Sequence, residues 1–169
     1  MAEEIINDIY YRLDEENLTA EVIQKDDYRG DIIIPDAVVF NEITYRVTSI
    51  GRRAFADCQW LTTINIPNSV TSIGERAFIW CFALDSITIP DSVKRIGWKA
   101  FLDCESLEEI IIGNSVKGIG RHAFDGCDSL LSIAYQGTMA QWKKIKLGYF
   151  WKTPIPTAVL HCTDGDVKV

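Results

Sequence analysis

The chain reads as an α/β repeat protein: a solenoid with a parallel β-sheet along one side, short helical turns along the other, and a β-hairpin as N-terminal cap. Three observations predict this. A 23-residue unit recurs through the middle of the chain. Each unit contains an alternating apolar stretch cut off by a turn residue. Both ends break the pattern, as terminal coils must when each covers a core with no further neighbour.

The N-terminal region, residues 1–46, opens with two stretches, Ile9-Tyr10-Tyr11-Arg12-Leu13 and Thr19-Ala20-Glu21-Val22-Ile23, around the polar turn Asp14-Glu15-Glu16-Asn17. Alternation on either side of a turn predicts a hairpin lid over the first coil. Ile32, Ile34 and Pro35 then match the strand columns of the later units, followed by an insertion holding Phe40, Asn41 and Tyr45. Together these form an irregular first coil.

Residues 47–134 hold four units in strict register. Val47, Val70, Val93 and Val116 form one column; Ile50-Gly51, Ile73-Gly74, Ile96-Gly97 and Ile119-Gly120 form the next. Ala54-Phe55, Ala77-Phe78, Ala100-Phe101 and Ala123-Phe124 follow, then Cys58, Cys81, Cys104 and Cys127, then Leu61, Leu84, Leu107 and Leu130. Ile64, Ile87, Ile110 and Ile133 lead to Ile66, Ile89, Ile112 and Tyr135. Leu61-x-x-Ile64-x-Ile66, cut by Pro67, predicts a short strand. Gly-x-x-Ala-Phe-x-x-Cys-x-x-Leu has apolar residues three and four apart and predicts one or two helical turns. The glycine column falls where the chain must turn, so the expectation there is a positive φ. One unit cannot bury its apolar side alone; stacked units can.

Residues 135–169 close the stack. Trp142, Ile145, Leu147 and Trp151 leave the columns, and Ala158-Val159-Leu160-His161-Cys162 predicts a last strand. The whole amounts to about six coils, one irregular at each end.

The columns closely resemble the BspA-like leucine-rich repeat family, whose unit reads much like IPxSVxxIGxxAFxxCxxLxxI. Here it is Ile66-Pro67-Asn68-Ser69-Val70-Thr71-Ser72-Ile73-Gly74, continuing through Ala77-Phe78, Cys81 and Leu84 to Ile87. Tyr45 to Gly51 is similar to the family's entry into its first full unit, and Tyr135-Gln136-Gly137-Thr138, Gln141-Trp142 and Cys162 to Gly165 to its closure. Gly113 departs from the pattern, standing where Pro67 and Pro90 stand in the two earlier units. The resemblance implies a leucine-rich-repeat solenoid, a ligand-binding or adhesive surface on a bacterial cell or secreted from it, and no catalysis.

Bulk properties narrow the function classes. The net charge of −7 and 47% hydrophobic content describe a folding, acidic chain, which argues against a general nucleic-acid binder. No apolar run reaches the length of a membrane span. The start lacks a basic segment followed by an uninterrupted apolar one, so no signal peptide is visible and a cytoplasmic location stays open. Charge is also sided. The strand segments hold Asp85, Asp91, Glu105, Glu108, Glu109 and Asp128 with no Lys or Arg, whereas the return segments hold Arg52, Arg53, Arg76, Lys94, Arg95, Lys99, Lys117 and Arg121 against four acids. Residues 1–46 carry a net −8, with twelve acids and four bases, and residues 135–169 a net +3. The two readings are solubility with head-to-tail polarity, or a sheet face that selects cationic or hydroxyl-rich ligands.

No catalytic residue, metal site or cofactor is expected. The four ladder cysteines line up along the axis with parallel side chains, a poor geometry for a disulfide torsion or a converging metal site, and are read as buried small hydrophobes. Cys162 stands outside that ladder and could be free or bonded. His122 is expected to be exposed on a turn, and His161 to sit in the last strand; both are read as solvated or capping residues, and only a deep pocket gathering His161, Cys162 and a carboxylate would reopen an enzymatic reading. The neighbouring acids Glu108 and Glu109 point to opposite faces of a strand or flank a bend, which makes them poor acid/base partners.

The candidate binding face is the outward side of the sheet: Ile33, Thr63, Asn65, Asp85, Ser86, Thr88, Glu108, Glu109, Ile111, Ser132 and Ala134. A second candidate is an aromatic patch of Trp60, Trp80, Phe82 and Trp98 on the return side. The expected partner is a protein or glycan, with no nucleic acid and no membrane insertion, the chain being a monomer or weakly self-associating. The alternative is a structural spacer that self-associates through its aromatic return side.

Overall fold

The structure, a computed structural model, describes residues 1–24, 27–152 and 158–168. It is a β-solenoid of about five turns with almost no helix. Two series of strands alternate along the chain and form its two sides.

The return side is one long sheet. It begins with β1 (Ala2–Ile6), β2 (Ile9–Asp14) and β3 (Thr19–Val22), continues through β6 (Ile43–Ile50), and then takes one two-residue strand per coil: β8 (Ser72–Ile73), β10 (Arg95–Ile96), β12 (Gly118–Ile119) and β14 (Lys146–Leu147). The spatial order is β1-β2-β3-β6-β8-β10-β12-β14, and β5 (Ala37–Phe40) pairs with β6. The first three strands are antiparallel neighbours; from β3 onward each main-path neighbour is parallel. Asn7-Asp8 and Asn41-Glu42, all with positive φ, close two-residue hairpins between β1 and β2 and between β5 and β6.

The front side is split. β4 (Arg29–Ile33) pairs in parallel with β7 (Trp60–Asn65). β9 (Ser86–Ile89), β11 (Glu109–Ile112), β13 (Ser132–Tyr135) and β15 (Val159–Cys162) form a second parallel sheet, edged by antiparallel β16 (Gly165–Lys168). The register between β4 and β7 shifts at Gly30/Asp31. Thr62 and Thr63 are both exposed, as are Asp85 and Ser86 one coil on, but no ladder of paired residues runs between β7 and β9. The two strands are joined instead by one long backbone bond at the foot, Asp85 N–H to the Thr62 carbonyl at 3.4 Å.

The predicted helical turns are not helices. The arc from Gly51 to Leu61 is a run of turns in which amides divide between two duties. Ala54, Ala56, Cys58 and Leu61 donate three residues back, to Gly51, Arg53, Phe55 and Cys58. Arg53, Phe55 and Asp57 donate across to Glu75, Ala77 and Ile79 of the next coil, at 3.0, 2.7 and 2.9 Å. The next two coils repeat the cross-coil bonds from Arg76, Phe78 and Trp80 and from Lys99, Phe101 and Asp103. Half of the donors a helix needs are therefore spent between coils. Positive φ at Arg53 and Asp57, and at the equivalents Arg76, Trp80, Lys99, Asp103, His122 and Gly126, breaks the right-handed path twice per coil. The only helix among the described residues is α1 (Met139–Trp142), whose first turn is closed by Thr138 and Gln141 in a capping box.

The glycine column has a different cause from the one expected. Gly51, Gly74, Gly97 and Gly120 are absent from the positive-φ positions. They are glycines because the coils touch there: a Cβ on Gly97 would lie 2.5 Å from the carbonyl of Gly74, and one on Gly120 2.5 Å from that of Gly97. Gly113 is explained in the same way, since its Cβ would meet the Asp91 amide at 2.6 Å.

The core fills the space between the sides. Phe55, Phe78, Phe101 and Phe124 stack with centroids 5.1, 4.8 and 5.0 Å apart and planes within 3 to 4°. Tyr28 continues the column at one end, and Trp151 closes it edge-on at the other. Val47, Ile50, Leu61, Leu84, Ile110 and their equivalents are buried around it.

Replacing Gly97 by Ala should lower unfolding stability by about 2–3 kcal/mol or more, as forced overpacking against backbone does. Gly118→Ala, whose methyl meets only the Lys146 carbonyl oxygen at 3.7 Å, should be close to neutral. Urea unfolding midpoints measure both, and equal losses would show that the glycine column does not set the coil spacing.

Candidate functional site

The outward face of the front side carries the first set of candidate residues. Strand alternation turns Ile64, Ile87, Ile110 and Ile133 inward and leaves their neighbours outside. Thr88 lies beside Ile111 and Ile111 beside Ala134; Ser86 lies beside Glu109 and Glu109 beside Ser132. Ile33 is the register partner of Asn65 and is 75% exposed. Thr63, Asn65, Asp85, Ser86, Thr88, Glu108 and Glu109 are exposed; Ile111, Ser132 and Ala134 are half-buried. Both Glu108 and Glu109 reach solvent, Glu108 from the foot of the strand. Across the split, β4 and β7 place Ile33, Thr63 and Asn65 on their own outward side.

Two features of this face were not legible in the columns. Asp31 accepts hydrogen bonds from the Thr63 and Thr62 hydroxyls at 2.7 and 3.0 Å, which hold its carboxyl below the usual carboxylate range. Trp60, expected on the return side, heads β7 opposite Arg29 and is 62% exposed. Alternation past buried Leu61 sets its ring on the same outward side as Thr62, so the front face has an aromatic anchor. The signal was present in the spacing, because Trp60 precedes an inward leucine by one residue.

The other three aromatics are engaged or shielded to different degrees. Trp80, 36% exposed, donates its indole N–H to Asp103 of the next coil at 3.1 Å. Phe82 and Trp98 are half-buried. Trp98 carries the Arg76 guanidinium 4.1 Å and the Lys99 ammonium 4.9 Å from its ring centre. Among the described residues, no ring pair joins any two of the four.

The cysteine ladder is hydrogen-bonded as well as buried. Cys81, Cys104 and Cys127 donate their thiols to the carbonyls of Phe55, Phe78 and Phe101 in the preceding coil, at 3.1, 3.1 and 3.2 Å. Burial pushes the Cys58 thiol up to about 12 and raises Cys104 and Cys127 well above the ordinary thiol range. Cys162 is half-buried, and burial followed by Asp164 and Asp166 also raises it.

Neither histidine meets a nucleophile. His122, expected to be exposed, is half-buried: Asp125 lies 2.8 Å from Nδ1, Arg121 donates to Nε2 at 3.0 Å, and Phe150 stacks on the ring at 5.6 Å. Its ring is held in place from three sides, which is why it does not stand free on the turn. His161 pairs with Asp166 at 3.0 Å, while Cys162, its neighbour on β15, packs against the core. Among the described residues no three His, Cys, Asp or Glu side chains are grouped to hold a metal ion, and no helix is long and apolar enough to cross a membrane.

The profile of the BspA-type leucine-rich repeat region matches residues 38–154 in six copies. The chain belongs to that family. Solved structures agree on the fold. A leucine-rich repeat protein from Bacteroides capillosus is 26% identical, with a TM-score of 0.69 over 81% of this chain and 100% of that one. A leucine-rich cell surface protein from Faecalibacterium prausnitzii is 22% identical, with a TM-score of 0.62 over 96% of this chain and 55% of that one. The pneumococcal vaccine antigen PcpA is 18% identical, with a TM-score of 0.67 over 95% of this chain and 50% of that one. This BspA-type chain therefore spans about half the length of those last two proteins. No curated protein matches it.

Alkylation of the native protein near pH 8 should modify Cys162 first, with Cys58, Cys81, Cys104 and Cys127 reacting only as the fold opens. Peptide mass mapping over time tests this. Modification of a ladder cysteine at a rate comparable to Cys162, without unfolding, would contradict the ladder's assignment to the core.

Proposed function

We propose that this BspA-type solenoid is a non-enzymatic binding module of adhesive type, acting at or beyond a bacterial surface, and that it meets a protein or glycan through the front face. The observation that carries this reading is the contrast between the two sides of the same strands. Inward, the residue type is nearly constant from coil to coil. Outward, the residue type varies: Thr63, Ser86, Glu109 and Ser132 form one row, with a charge at Glu109 alone, and Asn65, Thr88, Ile111 and Ala134 the other, which passes from polar to apolar. Packing constrains the first set and leaves the second free to follow a ligand.

Trp60 at one margin supplies the large apolar contact that interfaces concentrate their energy on. The hydroxyls and carboxylates between Asp31 and Glu109 supply donors and acceptors across a shallow surface. The antiparallel strands β1 to β3 act in this reading as the cap of the first coil, and residues 135–169 as the closing coil, around the four regular units of 47–134. The cell-surface description of the Faecalibacterium relative and the antigen status of the pneumococcal one support the location.

The test is a screen of the purified protein on glycan and host-protein arrays, followed by variants against whichever probe binds. Trp60→Ala and the pair Thr88→Ala with Glu109→Ala should each weaken that binding at least tenfold while thermal unfolding stays unchanged. Unaltered affinity in both would remove the front face from the reading.

A further inference from the structure

The return side has a charge pattern of its own. The register row across its sheet runs Glu21, Ser49, Ser72, Arg95, Gly118 and Lys146. At the N-terminal end the charges neutralise one another: Arg12 pairs with Glu3 at 2.8 Å and Glu21 at 2.9 Å. In the middle the face carries hydroxyls. At the other end it carries cations alone.

There, β10, β12, β14 and the segment after α1 enclose a groove of about 1060 Å³. Lys94, Arg95, Lys117, Lys144 and Lys146 line it, all exposed, and no Asp or Glu does. The ion pairs among the described residues engage Arg12, Arg29, Arg52, Arg53, Arg76, His122 and His161, and none of those five. Three of the cations are tied to the stack itself: Lys117 donates its amide to the Lys94 carbonyl at 2.9 Å, and Lys146 to that of Lys117 at 3.0 Å. Cations thus recur from coil to coil, at about 5 Å per step. Crowding five unneutralised cations is unfavourable unless an anion is shared among them.

We propose that this groove is a second binding site, on the face opposite the front sheet, for a linear acidic polysaccharide carrying carboxylate or sulfate groups. Three observations fix the class. Repeated cations along one line suit a ligand whose negative charges also repeat along a chain. Asn114, Ser115 and Gln141 stand among them and offer amide and hydroxyl groups to sugar hydroxyls. Trp98 in the wall already holds the Arg76 guanidinium and the Lys99 ammonium near its ring, and these compete with a nucleobase for stacking there. A long duplex would, in addition, meet the acidic N-terminal coils of a chain whose net charge is −7.

The experiment measures binding of the intact protein to heparin and to polygalacturonate by calorimetry at low and at physiological salt, with dextran, poly-glutamate and duplex DNA as comparators. The expected result is binding to at least one acidic polysaccharide that weakens as salt rises, and none to dextran. Lys94→Gln with Lys117→Gln and Lys146→Gln should reduce it at least tenfold, and Lys144→Gln alone by a smaller factor, with the melting temperature unchanged. The front-face change Glu109→Ala should leave it intact, which separates this site from the one proposed above. No binding to either polysaccharide, tighter binding to poly-glutamate or DNA, or unchanged binding in the lysine variants would overturn the proposal.

Discussion

A chain that stacks on itself has to divide its backbone donors between holding one coil in shape and holding that coil to the next. In this protein the division is nearly alternate through the arc between the two sides: Ala54, Ala56 and Cys58 bond within the coil, while Arg53, Phe55 and Asp57 bond across it. Everything else is fitted to that alternation. Positive φ occurs at Arg53 and Asp57, two of the three residues whose amides bond across. The glycine column lets neighbouring coils approach to contact, and at that separation the phenylalanine rings stack face to face, about 5 Å apart. The cysteine thiols then donate to the Phe55 and Phe78 carbonyls, each of which also accepts an amide of its own turn, from Cys58 and Cys81.

The repeat was legible because its core residues recur in phase, and the strands followed from alternation ended by Pro67 or Pro90. The helical turns misled for a physical reason. Apolar residues three and four apart mark one face of a helix, but they equally mark the inner side of successive turns whose other amides bond to a neighbour. Periodicity reports which side is buried and not where the hydrogen bonds go. The glycines were read as conformational when they are steric, because a sequence shows the absence of a side chain and not its cause.

The last coil hid itself by length. Leu147 lies 28 positions after its register partner Ile119, where the strict spacing is 23. The difference accommodates α1. Gly148, whose amide bonds to the Ile119 carbonyl as Gly120 bonds to Ile96, therefore continues the glycine column out of phase. Lys144 and Lys146 went unnoticed as neighbours of Lys94 and Lys117 for the same reason. Strand β1 was missed because the two-residue turn Asn7-Asp8 that creates it was not separated from the acidic stretch around it. The front-face residues fared better, since alternation alone decides which side of a strand a residue takes; Trp60 escaped only because the strand begins a residue earlier than its leucine column suggests.

The glycine column also governs how such a chain can change its length. Each Gly meets the carbonyl of the one before, so every regular joint between coils has the same shape. A segment running from one glycine to the next can be removed or duplicated, and the cut ends meet a surface identical to the one they left. Growth is thus quantised in whole turns, and a partial turn would set a side chain against backbone. The outer faces have no such rule. A lineage can add a turn without disturbing what is inside, and in the same event acquire a new row of residues on both faces.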